Sequence, residues 1–129
     1  MTNSLELSKK IYQALIFNDE LQNIVGQNVY PLIAESDTPY PFVVFKRMSI
    51  TPYYTKDFLT YEDVQYEIVC CSDKYEQVID MAILVRDEFE GIRGSGITSS
   101  VVSYINEDFI NDCYVQRIGF TFRVTPTEQ

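Results

Sequence analysis

The sequence predicts one α+β domain, with two main helices packed on a mostly antiparallel sheet of about four to five strands. Three observations lead there. Apolar residues recur at helical spacing in two separate segments, one near the N-terminus and one after Asp73. Strict alternation runs from Tyr61 to Cys71, and two further β-rich segments follow the second helix. With 129 residues, 46% hydrophobic and 14% aromatic, the chain can bury one core but not two of ordinary size.

The first helix is expected over residues 3–18. Leu7, Ile11, Tyr12, Leu15 and Ile16 form one buried stripe, and Asn3 with Glu6 has the spacing of a capping box. Asn18 or Asp19 restarts a short helical piece with Leu21, Ile24 and Val25, ended by Gly26. NVYPLIA reads as a short strand. Pro31 cannot donate to a ladder, which places it at a sheet edge or a strand start. ESDTPYP follows as a turn, and PFVVFKRMSI (41–50) as a strand entered from a proline-stiffened linker that holds the chain extended and limits register slippage. TPYYTKDFL (51–59) reads as a loop or hairpin tip.

From 61 to 71, Val64, Tyr66, Ile68 and Cys70 share one face, while Asp63, Gln65 and Glu67 share the other. The second helix opens with Asp73 and Glu76 at capping-box spacing. It carries the stripe Tyr75, Val78, Ile79, Ala82, Val85 and Phe89, and stops at Gly91. GIRGSG is a flexible connection. ITSSVVSYI and CYVQRIGFTFRVT are two more strands separated by NEDFINDC. In the last strand Tyr114, Gln116, Ile118, Phe120, Phe122 and Val124 make the core side.

Composition restricts the chemistry. The sequence contains no histidine, which removes Ser/His/Asp and Cys/His schemes. The adjacent acids Glu62/Asp63, Asp87/Glu88 and Glu107/Asp108 point apart on a strand or helix, so they read as solvated charge and not as acid/base pairs. A hydrolase built on carboxylates has no supporting spacing. Cys70, Cys71 and Cys113 form an odd set with no CxxC, and read as small apolar residues without a disulfide or zinc. GIRGSG lacks the lysine of a phosphate loop. NEDFINDC has the acids and amides of a calcium loop without its spacing or final glutamate. No cofactor and no metal are expected.

No run reaches the roughly 20 apolar residues of a membrane span, and MTNSLELSKK has no apolar signal region, so synthesis in the cytoplasm is expected. A net charge of −9 argues against gripping a phosphate backbone, and no specific nucleic-acid binding is expected. The candidate site is an interaction surface. Tyr53, Tyr54 and Phe58 crowd one loop, and rigid aromatic rings favour interfaces. Phe109 and Ile110 in the polar loop are either folded inward or displayed to a partner.

Order and spacing then form a pattern. Val29-Tyr30-Pro31 is followed by Pro39-Tyr40-Pro41-Phe42-Val43-Val44-Phe45, and then by Val64-Gln65-Tyr66-Glu67-Ile68-Val69 leading into Ser72 and Asp73. This resembles the tail-completion, or tail-terminator, family of long-tailed bacteriophages and prophages, over roughly residues 5 to 90 by motif and the last strands by pattern. The resemblance implies an α+β protein, without enzyme activity or cofactor, that assembles as a homo-oligomeric ring, typically a hexamer. The ring would cap the head-proximal end of the tail tube, meet the tube protein and the head-connector protein, and reside in the virion neck after synthesis in a bacterial cytoplasm. Relatives of the fold also serve as other neck and tube components. The −9 charge would suit an acidic lumen that lets DNA pass. The alternative is a monomeric adaptor that binds one partner through a sheet edge.

Overall fold

The computed structural model describes residues 4–94 and 96–125. A short 3-10 turn (Ser4–Glu6) leads into α1 (Leu7–Ile16), followed by α2 (Asp19–Val25), β1 (Val29–Pro31), β2 (Phe42–Thr55) and β3 (Phe58–Ser72). Then come α3 (Tyr75–Phe89), β4 (Ile97–Ile110) and β5 (Cys113–Val124). The strands form one sheet in the order β1-β2-β3-β5-β4. The predicted class holds with one correction. β2–β3, β3–β5 and β4–β5 are antiparallel, but β1 pairs parallel to β2, so the sheet is mixed.

That parallel pairing also corrects the role given to the prolines. A parallel partner must start again at the same end, so residues 32–41 form a return crossover, not an extended lead-in. β1 does lie at the sheet edge, as Pro31 requires.

The helices cover one face. α3 lies on β3 and β5, α2 packs against α1 and α3, and α1 sits beside β1. Leu7, Ile11 and Leu15 interdigitate with Val78, Met81, Val85 and Phe89 over Val64, Tyr66, Ile68, Cys70, Ile118, Phe120 and Phe122. The predicted core side of β5 is buried from Gln116 to Val124, and Tyr114 is half-buried. Phe89 stands edge-on to Phe120 and Phe122 at ring distances of 5.7 and 6.3 Å, the arrangement aromatic quadrupoles favour.

Of the two predicted connections, 51–59 is a hairpin tip, the second of the readings given, and NEDFINDC is mostly strand. β2 and β3 extend to Thr55 and Phe58, so 51–59 is the end of a long hairpin turned at Lys56 and Asp57 (φ 47° and 73°). β4 likewise runs through Asn106–Ile110 and turns at Asn111 and Asp112 (φ 52° and 63°). Positive φ at both central residues is the turn whose twist matches a two-residue hairpin. GIRGSG is also tighter than expected, since Gly94 and Ile97 exchange backbone hydrogen bonds of 3.0 and 2.9 Å.

The caps divide. Asn18 caps α2, its Oδ1 accepting from Leu21 N–H at 3.0 Å. Asn3 lies outside the described residues. The Asp73/Glu76 box does not form, because α3 starts from Lys74 with no side-chain cap from that residue. Ser72 takes over one step earlier: its Oγ accepts from Lys74 N–H at 3.0 Å and donates to Gln77 Oε1 at 2.6 Å.

Candidate functional site

The candidate surfaces follow from where the sheet outruns its helices. At the far end of the β2–β3 hairpin no helix covers the strands, and the aromatic residues there have nothing to bury against except one another. Tyr53 stands opposite Tyr61 in the ladder with rings 4.7 Å apart. The Arg123 guanidinium lies 3.8 Å over the Tyr61 ring and grips Asp63 through two hydrogen bonds of 2.9 and 3.1 Å. A guanidinium held this way is a fixed planar brace. Tyr53 is therefore partly spent within its own chain, whereas Tyr54 and Phe58 remain 66% and 75% exposed. The three residues predicted as one cluster share the hairpin arm but not one role.

The tip of the β4–β5 hairpin holds the other predicted pair. Phe109 stands across from Tyr114, rings 4.9 Å apart, and Tyr114 meets Tyr75 edge-on at 5.4 Å. Beside them Glu107 accepts from the Tyr75 hydroxyl at 2.6 Å and from Gln116 Nε2 at 2.7 Å. The Tyr75 hydrogen bond holds the Glu107 carboxyl below its ordinary range, and the same bond raises the phenol. Phe109 and Ile110 alternate to opposite faces and both are exposed, so neither is folded inward.

Sequence reasoning named a sheet edge without placing it, and missed a second surface altogether. The first is the outer edge of β4, which has no strand partner among the described residues over its 14 residues. The second lies between α1 and β1, where Tyr12, Ile16, Phe17, Tyr30, Pro31 and Phe45 line an apolar groove of about 820 Å³. Phe17, Leu32 and Ile33 stand out beside it at 73%, 66% and 77% exposure. The signal that could have found the groove is Phe17, an aromatic residue placed off the buried stripe of its helix.

On the sheet face opposite the helices Cys71, Cys113 and Val115 form a small apolar patch with Phe42 and Val69, while Cys70 lies in the main core. All three thiols are free and buried, in keeping with their reading as small apolar residues. Burial pushes the Cys71 thiol up to about 12 and Cys70 up as well, which makes both poor nucleophiles. Among the described residues no cluster of three or more His, Cys, Asp or Glu is placed to hold a metal ion, and no helix is long and apolar enough to cross a membrane.

Comparison with known proteins adds two positive findings. A chain from the virion of a native gene transfer agent (GTA) particle has the same fold, with a TM-score of 0.76 over 90% of this chain and 92% of that one, at 17% identity. No curated protein matches the sequence. The family model described as Tail completion protein gp17 matches residues 9–123, from the first turns of α1 to the end of β5. With that share of its length matched, the chain belongs to the tail completion protein gp17 family.

Proposed function

We infer that this protein is a structural component of a virion neck. It closes the head-proximal end of a tail tube as a ring of identical subunits, and offers the ring's other side to the head connector. The observation that carries the reading is the family match over residues 9–123. The surfaces support it. Exposed aromatic and aliphatic residues stand at two hairpin tips and beside α1, at separate places on one molecule. Heterologous contacts of that kind close into rings when the rotation allows. No catalysis is part of the role, and no nucleic-acid or membrane partner is required. Synthesis in an infected bacterial cytoplasm followed by incorporation into the virion completes the picture, and a net charge of −9 suits a lumen that releases DNA.

The test is light scattering behind a sizing column on the protein alone and after mixing with purified tail tubes, with electron microscopy of the mixture. Rings seated at one end of each tube are expected. A monomer that ignores tubes would overturn the reading in favour of the single-partner adaptor, while a ring lined with strongly basic residues would overturn the acidic lumen alone.

A further inference from the structure

The sheet has two open edges, and they carry opposite charge. β1 covers β2 only from Val43 to Phe45, so the outer edge of β2 is unpaired from Lys46 onward among the described residues. Leu32 is what frees it. Its N–H makes a last hydrogen bond to Phe45 O at 2.8 Å, and its backbone then turns away at φ 68°, a left-handed conformation that a leucine adopts only at a cost. β2 contains Lys46 and Arg47 and no acid, whereas β4 contains Glu107 and Asp108 and no base, Asp108 being 3.3 Å from Arg117 of its own chain, a part-exposed pair that a second base can share. On a chain of net charge −9, a basic edge is not what composition alone would place there.

We propose that the subunits of the ring join edge to edge. β4 of one copy adds to the free edge of β2 in the next, fixed by Lys46 against Asp108 and Arg47 against Glu107. This rests on the ring reading above and specifies the contact that builds it.

Direction and register both permit the contact. Each of the three pairings from β2 to β4 is antiparallel, so β2 and β4 run in opposite senses. Copies related by rotation about an axis to which the strands are tilted, as in a closed sheet, therefore bring β4 antiparallel to β2, continuing the alternation. Within one subunit the ladders set Asp108 level with Val115, Cys71 and Phe42, and Glu107 level with Gln116, Cys70 and Val43. Lys46 lies four residues beyond Phe42, and Arg47 four beyond Val43. One stagger of about 13 Å between neighbours thus aligns both pairs at once.

The faces agree as well. Lys46 and Asp108 pair with Glu67 and Val115 on the sheet face away from the helices, while Arg47 and Glu107 pair with Tyr66 and Gln116 on the helix face. A stagger by an odd number of residues would put each charge on the wrong side. A constant stagger per subunit is also what a sheet needs in order to close on itself. Beyond Asp108 this register brings Phe109 and Ile110 level with Phe45 and Val44, whose outer edge β1 already holds, so pairing stops at Lys46 and the β4 tip must bend over the end of β1, toward the exposed Leu32 and Ile33. Self-pairing of like edges is disfavoured, since β2 on β2 sets base on base and β4 on β4 sets acid on acid. The head-to-tail arrangement avoids both.

The experiment is a charge swap read by ring formation on tail tubes and by light scattering, with circular dichroism to establish folding. Lys46→Glu with Arg47→Glu, and separately Glu107→Lys with Asp108→Lys, should each lower the fraction of capped tubes by about tenfold or more. The chain carrying all four changes should recover. A second measurement does not depend on the swaps: Lys46→Cys with Asp108→Cys in one chain should give a ladder of disulfide-linked oligomers under oxidation. Rings of wild-type protein that neither swap disturbs, or cross-linking no greater than in the wild type, would overturn the edge contact and leave the ring standing. Absence of rings from the wild type itself would overturn the ring reading on which the contact rests.

Discussion

At the scale of single residues, Gly119 is the most constrained position of the open sheet face. A Cβ built there would lie 2.2 Å from the Tyr104 ring, which covers the glycine from the neighbouring strand. Burial first, and then the 2.5 Å hydrogen bond to Glu67, push the Tyr104 phenol up to about 12. Gly119→Ala should swing the ring out. We expect a loss of about 1–2 kcal/mol in urea denaturation and a fall of this phenol toward the ordinary tyrosine range in a spectrophotometric titration. A phenol raised on folding holds its proton more tightly in the folded chain. The stability it adds is therefore complete below the unfolded value near 10 and is lost as pH rises through about 12. In Gly119→Ala that alkaline decline should flatten.

At the scale of elements, the start of α3 separates a motif from a working cap. Ser72→Ala removes the acceptor for Lys74 N–H and the bond to Gln77, and should cost about 1 kcal/mol. Asp73→Ala, at the position the spacing selected, should stay within about 0.5 kcal/mol, because no cap hydrogen bond is lost. Both are read by thermal or urea unfolding.

The β2–β3 turn gives an opposite case. Lys56 and Asp57 both sit at positive φ, where an Asn-Gly pair is at ease. Lys56→Asn with Asp57→Gly should stabilise the protein by about 1 kcal/mol. A turn made from such unlikely residues is also why the sequence reading shortened both hairpins. Period-2 patterning at 61–71 and in β5 was legible because one face is buried there. Past the helices both faces are wet, alternation vanishes, and TPYYT reads as loop or hairpin tip and NEDFI as loop although their backbones are strand. The core helices were legible for the same reason the distal strands were not. The aromatic tip residues could be named, but their separate roles depended on Tyr61 and Arg123, which no local spacing connects to Tyr53.

At the scale of the whole molecule, the buried core and the exposed apolar residues occupy different parts of the chain. The buried core is gathered under the three helices, while the exposed apolar residues lie at strand ends and beside α1. Tyr54→Ser with Phe58→Ser should leave the melting temperature within about 2 °C of wild type yet reduce tube capping. Tyr53→Ser should cost stability of about 0.5–1.5 kcal/mol through its lost partner Tyr61. Capping by a Tyr54/Phe58 double variant as efficient as wild type would remove the hairpin arm from the contact surface.

β1 is three residues long and is followed by a left-handed leucine. In the proposed edge contact, so short a strand would act as a doorstop. There a neighbouring strand can pair only up to the point where β1 ends, and that point bounds the offset between neighbours. In a closed sheet, offset, tilt and circumference are linked. Lengthening β1 by two residues would cover Lys46 and Arg47, move that point, and change how many copies fit around the circle. Leu32, which faces solvent and belongs to no core, would then help set the bore of the proposed ring.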